Sequence, residues 1–159
     1  MIFLNLQKEI ILELKKVNVE FIIIGGYAVI FHGYLRTTGD VDIWLKPDND
    51  NKEKLLTALI HSGFSIKTLD HIRQSDFTQP VSFHIGQPPE RIDFLTILSG
   101  LNFDDALQRA ELLKSGELLL PVLHLEDLII NKMLSGRAKD KADIEELQKI
   151  HNLTKKHKK

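Results

Sequence analysis

Residues 21–45, FIIIGGYAVIFHGYLRTTGDVDIWL, constrain the fold of this chain more than any other stretch. The run at 21–24 is apolar and rich in β-branched side chains, and it is too short for a helix, so it reads as a buried strand. Gly25-Gly26 breaks it. Residues 27–32 read as a short helix ending near Gly33. A polar loop follows, then Asp40-Val41-Asp42 opens a second buried strand that Pro47 closes. Side chains at i and i+2 of a strand share a face, so Asp40 and Asp42 point the same way with Cα atoms roughly 6–7 Å apart. Their repulsion is roughly 2–3 kcal/mol at an effective dielectric near 20. Stability alone does not select such a pair, whereas a divalent cation between the two turns repulsion into attraction.

The 159 residues suffice for one domain with a real core, expected over 1–150, with a basic, disordered tail at 151–159. A net charge of −1 gives no overall field toward nucleic acid or an anionic membrane. The absence of cysteine excludes disulfides and thiolate metal sites and fits a reducing, cytoplasmic setting. The N-terminal apolar residues are interrupted by Gln7, Lys8 and Glu9, unlike a signal peptide. No apolar run approaches the roughly 20 residues that span a bilayer, so no membrane partner is expected.

Phe3, Leu6, Ile10, Leu14 and Val17 recur at helical spacing and predict an amphipathic first helix. Asp48 or Asn49 is placed to cap a helix whose apolar face is Leu55, Leu56, Leu59 and Ile60. A short strand is expected at 64–68, and 70–79 has no clear assignment. Residues 81–85 and 91–98 read as an antiparallel hairpin around Gly86-Gln87-Pro88-Pro89. Asn102 caps a helix through Ala110, 118–120 is a short strand or turn, and helices are expected at 125–134 and 139–150. This order predicts an α+β (α/β) fold, a small mixed sheet with helices packed on it.

Three features bear on chemistry. Gly25-Gly26 lies at a strand-to-helix junction, where missing Cβ atoms admit a ligand and free N–H groups face an anion; a tight turn also accounts for the pair. It is neither a Walker A loop nor a dinucleotide fingerprint. Asp93 sits between Ile92 and Phe94 and faces away from them, as a metal ligand or as the exposed side of an edge strand. Two glycines close one strand and, after thirteen intervening residues, two carboxylates open the next, which sets a phosphate cradle and a metal seat at one sheet edge. Three carboxylates on neighbouring strands form an oxygen-rich site suited to Mg²⁺. His32, beside a short apolar helix, reads as a packed or capping residue. Arg36 suits either a phosphate clamp or a solvated loop.

Gly25-Gly26-Tyr27-Ala28, His32-Gly33, Arg36-Thr37-Thr38-Gly39-Asp40-Val41-Asp42 and the later strand Asp93 together resemble the DNA polymerase β-like nucleotidyltransferase superfamily. The match is to its small bacterial members: minimal nucleotidyltransferases, abortive-infection-type toxins and antibiotic nucleotidyltransferases. Lys132, Arg137-Ala138-Lys139-Asp140 and Asp143-Ile144 are similar to these proteins as well. The resemblance implies that Asp40, Asp42 and Asp93 bind Mg²⁺, two ions in all, and that Asp93 helps deprotonate the acceptor hydroxyl. It implies that Gly25 and Gly26 hold the triphosphate of an NTP, with Arg36, Thr38 and Lys132 as further nucleotide contacts. Many members carry Ser at the place of Gly26, which leaves only backbone contact here.

Lys132 falls on the apolar stripe of its helix with Leu125, Leu128, Ile129 and Met133, where a lysine must snorkel or reach an anion. Replacing it by Met is expected to keep or improve stability. The implied activity is transfer of NMP from an NTP, such as ATP, to a hydroxyl of RNA, protein or a small molecule. The alternative is a non-catalytic nucleotide- or partner-binding module of a toxin–antitoxin-like system.

Overall fold

The computed structural model describes residues 3–157. In chain order its elements are α1 (Asn5–Lys16), β1 (Phe21–Ile24), α2 (Gly25–Phe31), β2 (Val41–Leu45), α3 (Asn49–His61), α4 (Asp70–Arg73), β3 (Ser82–Ile85), β4 (Ile92–Leu95), α5 (Phe103–Arg109), β5 (Glu111–Ser115), β6 (Leu118–Val122), α6 (Leu125–Ser135) and α7 (Ala138–His157). The strands follow the order β3-β4-β2-β1-β6-β5 in an open mixed sheet, an α+β fold. Tertiary contacts gather the chain into two compact units. One contains residues 3–21 together with Gly39–Ile97; the other contains Ile22–Thr38 together with residues 98–157.

In the first unit β4 runs parallel to β2 and antiparallel to β3. Val41, Ile43, Ile92 and Phe94 are all buried and alternate with the residues of the other face. Phe83 stacks on Phe94 with ring centroids 5.2 Å apart, and Phe77 follows at 6.2 Å from Phe83. Trp44 is buried and donates its indole N–H to the Thr96 carbonyl at 2.9 Å, so its one polar atom is satisfied. Asp48 caps α3 by accepting from the Asn51 N–H, while Asn51 itself is buried and donates to the Glu20 and Lys46 carbonyls.

Gln7 is the unexpected core residue of this unit. The buried face of α1 is Gln7, Ile10, Ile11 and Leu14 rather than the stripe through Leu6 and Val17. Gln7 is fully buried, and its side-chain N–H₂ donates to the carbonyls of Gly39 at 3.1 Å, Arg91 at 3.1 Å and Pro89 at 3.4 Å. Its Oε1 accepts from the Leu4 N–H at 3.1 Å. One amide side chain thereby ties together the segments that enter β2 and β4.

In the second unit β1 runs parallel to β6, with Ile23 opposite Val122, and β5 pairs antiparallel to β6. Asn102 caps α5 through the Asp105 N–H. His32 is the C-cap of α2; burial lowers its pKa, and its Nε2–H donates to the Leu123 carbonyl at 2.7 Å.

Several sequence expectations change. Residues 64–68 form turns rather than a strand, because the Ser65 hydroxyl engages both the hydroxyl and the N–H of Thr68. Ile60 is 43% exposed, outside the buried face of α3. Strand β5 is absent from the sequence reading; a turn at Gly116, with φ +60°, folds it onto β6. The basic stretch after 150, expected as a disordered tail, continues α7 to His157, and Lys158 and Lys159 lie outside the described residues.

Replacing Gln7 by Leu keeps the volume but removes its N–H₂ from the Gly39 and Pro89 carbonyls and leaves the Arg91 carbonyl with the Val41 N–H alone. The expected loss is about 1–3 kcal/mol. A thermal melt checks it: an unchanged midpoint would show that these carbonyls do not depend on Gln7.

Candidate active site

The register of β2 and β4 sets Asp42 directly beside Asp93. Adjacent strands are about 4.8 Å apart, so the two carboxylates share one face at close range. At about 5 Å and an effective dielectric near 20 their repulsion is roughly 3 kcal/mol. Asp40 immediately precedes β2, two residues from Asp42. All three are half-buried, on segments whose alternate residues lie in the core. His84 on β3 is exposed and opposes Asp93 in the antiparallel register, which extends the polar row by one strand.

A cation already stands here. Arg91 donates from Nε at 3.0 Å and from Nη2 at 2.8 Å, and both bonds end on the same oxygen, Asp93 Oδ1. The hydrogen bond to Asp93 raises the guanidinium pKa, burial opposes it, and the charges of Asp93, Asp40 and Asp42 raise it further. All three carboxylates therefore act on Arg91. Their donors are hard carboxylate oxygens, the chemistry that Mg²⁺ prefers. Among the described residues, no three His, Asp or Glu side chains are gathered into a coordinating set. The donor chemistry fits a divalent cation, with Arg91 engaged on one of its donors.

The residues expected at the nucleotide all lie in the second unit. Gly25 and Gly26 are required for different reasons. Gly25 has φ +67°, the left-handed region that glycine enters without strain. Gly26 is required for space: a Cβ there would stand 2.9 Å from Thr38 Cβ, closer still to the Thr38 hydroxyl, and 3.4 Å from Arg36 Nη1. Thr38 thus occupies the room that the missing side chain of Gly26 leaves.

Arg36 grips Asp143 with two bonds, Nε to Oδ1 at 2.9 Å and Nη2 to Oδ2 at 3.0 Å. Lys132, only 4% exposed, stands 2.9 Å from Asp140 Oδ1 and 3.0 Å from Asp143 Oδ2. Arg137 bonds Asp140 Oδ2 at 3.0 Å, and the Ser135 hydroxyl makes a short bond to the same oxygen. Lys132 therefore does not snorkel; it links two buried carboxylates. Met133, expected on the buried stripe, is 51% exposed, and the stripe runs through Leu125, Leu128, Ile129 and Lys132.

A protein-family model described as "Nucleotidyl transferase of unknown function (DUF2204)" matches residues 4–159. The chain belongs to this family. Comparison with curated proteins gives no match. In this nucleotidyl transferase, Arg91 and the partners of Asp140 and Asp143 escaped the sequence reading. Arg91 stands two residues before Asp93 in an extended segment, and that i, i+2 spacing is the signal that the two share a face. Asp140 and Asp143 carry no such local signal, since their partners come from another helix and a distant loop.

The expectation that Lys132→Met keeps stability is overturned by this network. The change leaves Asp140 and Asp143 buried without their shared ammonium, at an expected cost of about 3–5 kcal/mol at neutral pH. Burial pushes the Asp140 carboxyl up, but hydrogen bonds from Ser135, Lys132 and Arg137 outweigh it and hold the pKa at about 2, below the ordinary aspartate range. A depressed carboxylate pKa contributes stability above the unfolded value, and that contribution disappears as pH falls toward the folded one. The gap between wild type and Lys132→Met should therefore narrow between about pH 4 and pH 2. Urea melts across that range check it, and a constant gap would contradict the ionic account.

Proposed function

We propose that this member of the family is a divalent-cation-dependent nucleotidyltransferase that moves NMP from an NTP to a hydroxyl acceptor on RNA, protein or a small molecule. The observation that supports it is the in-register Asp42–Asp93 pair with Asp40 two residues upstream. A hydrophobic face fixes that register, so the like charges are held together by the core rather than by their own attraction. When bound there, Mg²⁺, two ions in the full reading, supplies positive charge to the phosphate oxygens and the leaving pyrophosphate. In the reaction the acceptor oxygen bonds to the α-phosphorus and the α–β bridging bond breaks. Pyrophosphate leaves with the electron pair, and the acceptor proton passes to Asp93. Arg91 holds Oδ1 of that carboxylate and makes neither of its two bonds to Oδ2.

Gly25 and Gly26 are assigned to the triphosphate by the family pattern. Arg36, Thr38 and Lys132 are assigned a supporting part: Arg36 and Lys132 are committed to Asp143 and Asp140, and Thr38 fills the space at Gly26. A second reading, a nucleotide- or partner-binding module of a toxin–antitoxin-like pair, draws support from the Arg91–Asp93 bond, which leaves the acidic row partly neutralised without a metal.

Incubation of the protein with each α-labelled NTP, Mg²⁺ and cell lysate distinguishes the two. The expected result is label transfer to one acceptor class, abolished by EDTA and lowered at least 100-fold in Asp42→Asn and in Asp93→Asn. Full transfer by either folded variant would remove the site. A magnesium-dependent rise in melting temperature with ATP, without label transfer, would favour the binding module.

A further inference from the structure

We propose that Arg91 is the resident counter-charge of the Asp40–Asp42–Asp93 row, and that it makes the row a poor site for a free divalent cation and a better one for a cation carried on a triphosphate. The inference rests on the reading of these carboxylates as the metal seat. Its basis is the geometry of one unit of the fold. Asp42 and Asp93 are neighbours in register. Arg91 sets two N–H donors on a single oxygen of Asp93, and the chain places it directly at the start of β4. The Gln7 amide holds the Arg91 carbonyl, so the backbone that carries the guanidinium is fixed along with the carboxylates.

The electrostatics then have opposite signs for the two ligands. A bare dication entering the row meets a guanidinium at contact range and must displace it from Asp93 or bear its repulsion. A metal–triphosphate complex carries net negative charge, and the same guanidinium attracts it. Arg91 is 35% exposed and Asp93 28%, so the ion pair itself is partly screened by solvent, and Arg91 also offsets the repulsion between Asp42 and Asp93.

The test compares wild type, Arg91→Met and Arg91→Lys by Mn²⁺ electron paramagnetic resonance, without nucleotide and with a non-hydrolysable ATP analogue, after melts confirm folding. Arg91→Met should bind free Mn²⁺ on the order of tenfold more tightly than wild type and the Mn²⁺–analogue complex several-fold more weakly. Arg91→Lys, which keeps the charge, should stay close to wild type for free Mn²⁺. If Arg91→Met binds free Mn²⁺ no better than wild type, or if Arg91→Lys gains as much as Arg91→Met, the counter-charge role is overturned. Tighter binding of the analogue complex by Arg91→Met would overturn it too. Where wild type binds no Mn²⁺ at all, a site appearing in Arg91→Met supports the inference, and its absence there overturns both the inference and the metal seat. Mn²⁺ binding that is equal in wild type and Arg91→Met but lost in Asp42→Asn would sink the inference alone.

Discussion

The in-register parallel pairing of β2 with β4 is the constraint on which the functional face depends. Val41 and Ile43 lie beside Ile92 and Phe94, and all four are buried. A slip of one residue would turn that apolar set to solvent and the aspartates to the core, so burial fixes the register. The carboxylates come together because the hydrophobic face leaves them no alternative. Gln7 adds the second constraint, since its side chain binds the backbone just ahead of both strands.

The two units handle acidic groups in contrasting ways. In one, Asp140 and Asp143 are buried and surrounded by Lys132, Arg36, Arg137 and Ser135, so each carboxylate has close cationic partners. Such a network holds a loop and two helices in one arrangement and leaves little charge to offer a ligand. In the other, three half-buried aspartates lie around Arg91, which sets two N–H donors on Asp93. Both sets are rich in aspartate. The first is buried and neutralised by the chain itself, whereas the second lies at a half-exposed surface with the Arg91 guanidinium beside it.

The sequence made the carboxylate row legible because strand periodicity is local. Alternation around Asp42 and around Asp93 sets each side chain on the face away from the core, and the hairpin turn identifies β3 and β4 as partners. The pairing of β2 with β4 is not local, and neither is the role of Gln7, a polar residue that reads as an interruption of an apolar helix. Lys132 was legible as a misplaced lysine, but not its solution, because Asp140 and Asp143 reach it from the next helix and Arg36 from a loop about a hundred residues away. Gly26 shows the same limit. Its need for glycine was readable, while the reason, the side chain of Thr38, depends on how a later loop folds back.

The central claim is that Asp42 and Asp93 are paired in order to hold a divalent cation. The most direct measurement is a crystal structure with Mn²⁺ and a non-hydrolysable NTP analogue, with the metal located by its anomalous signal. The account predicts a peak within about 2.5 Å of carboxylate oxygens of both Asp42 and Asp93 and in contact with the triphosphate. A peak bound to phosphate oxygens alone, or metal and nucleotide bound away from this face of β2 and β4, would contradict it.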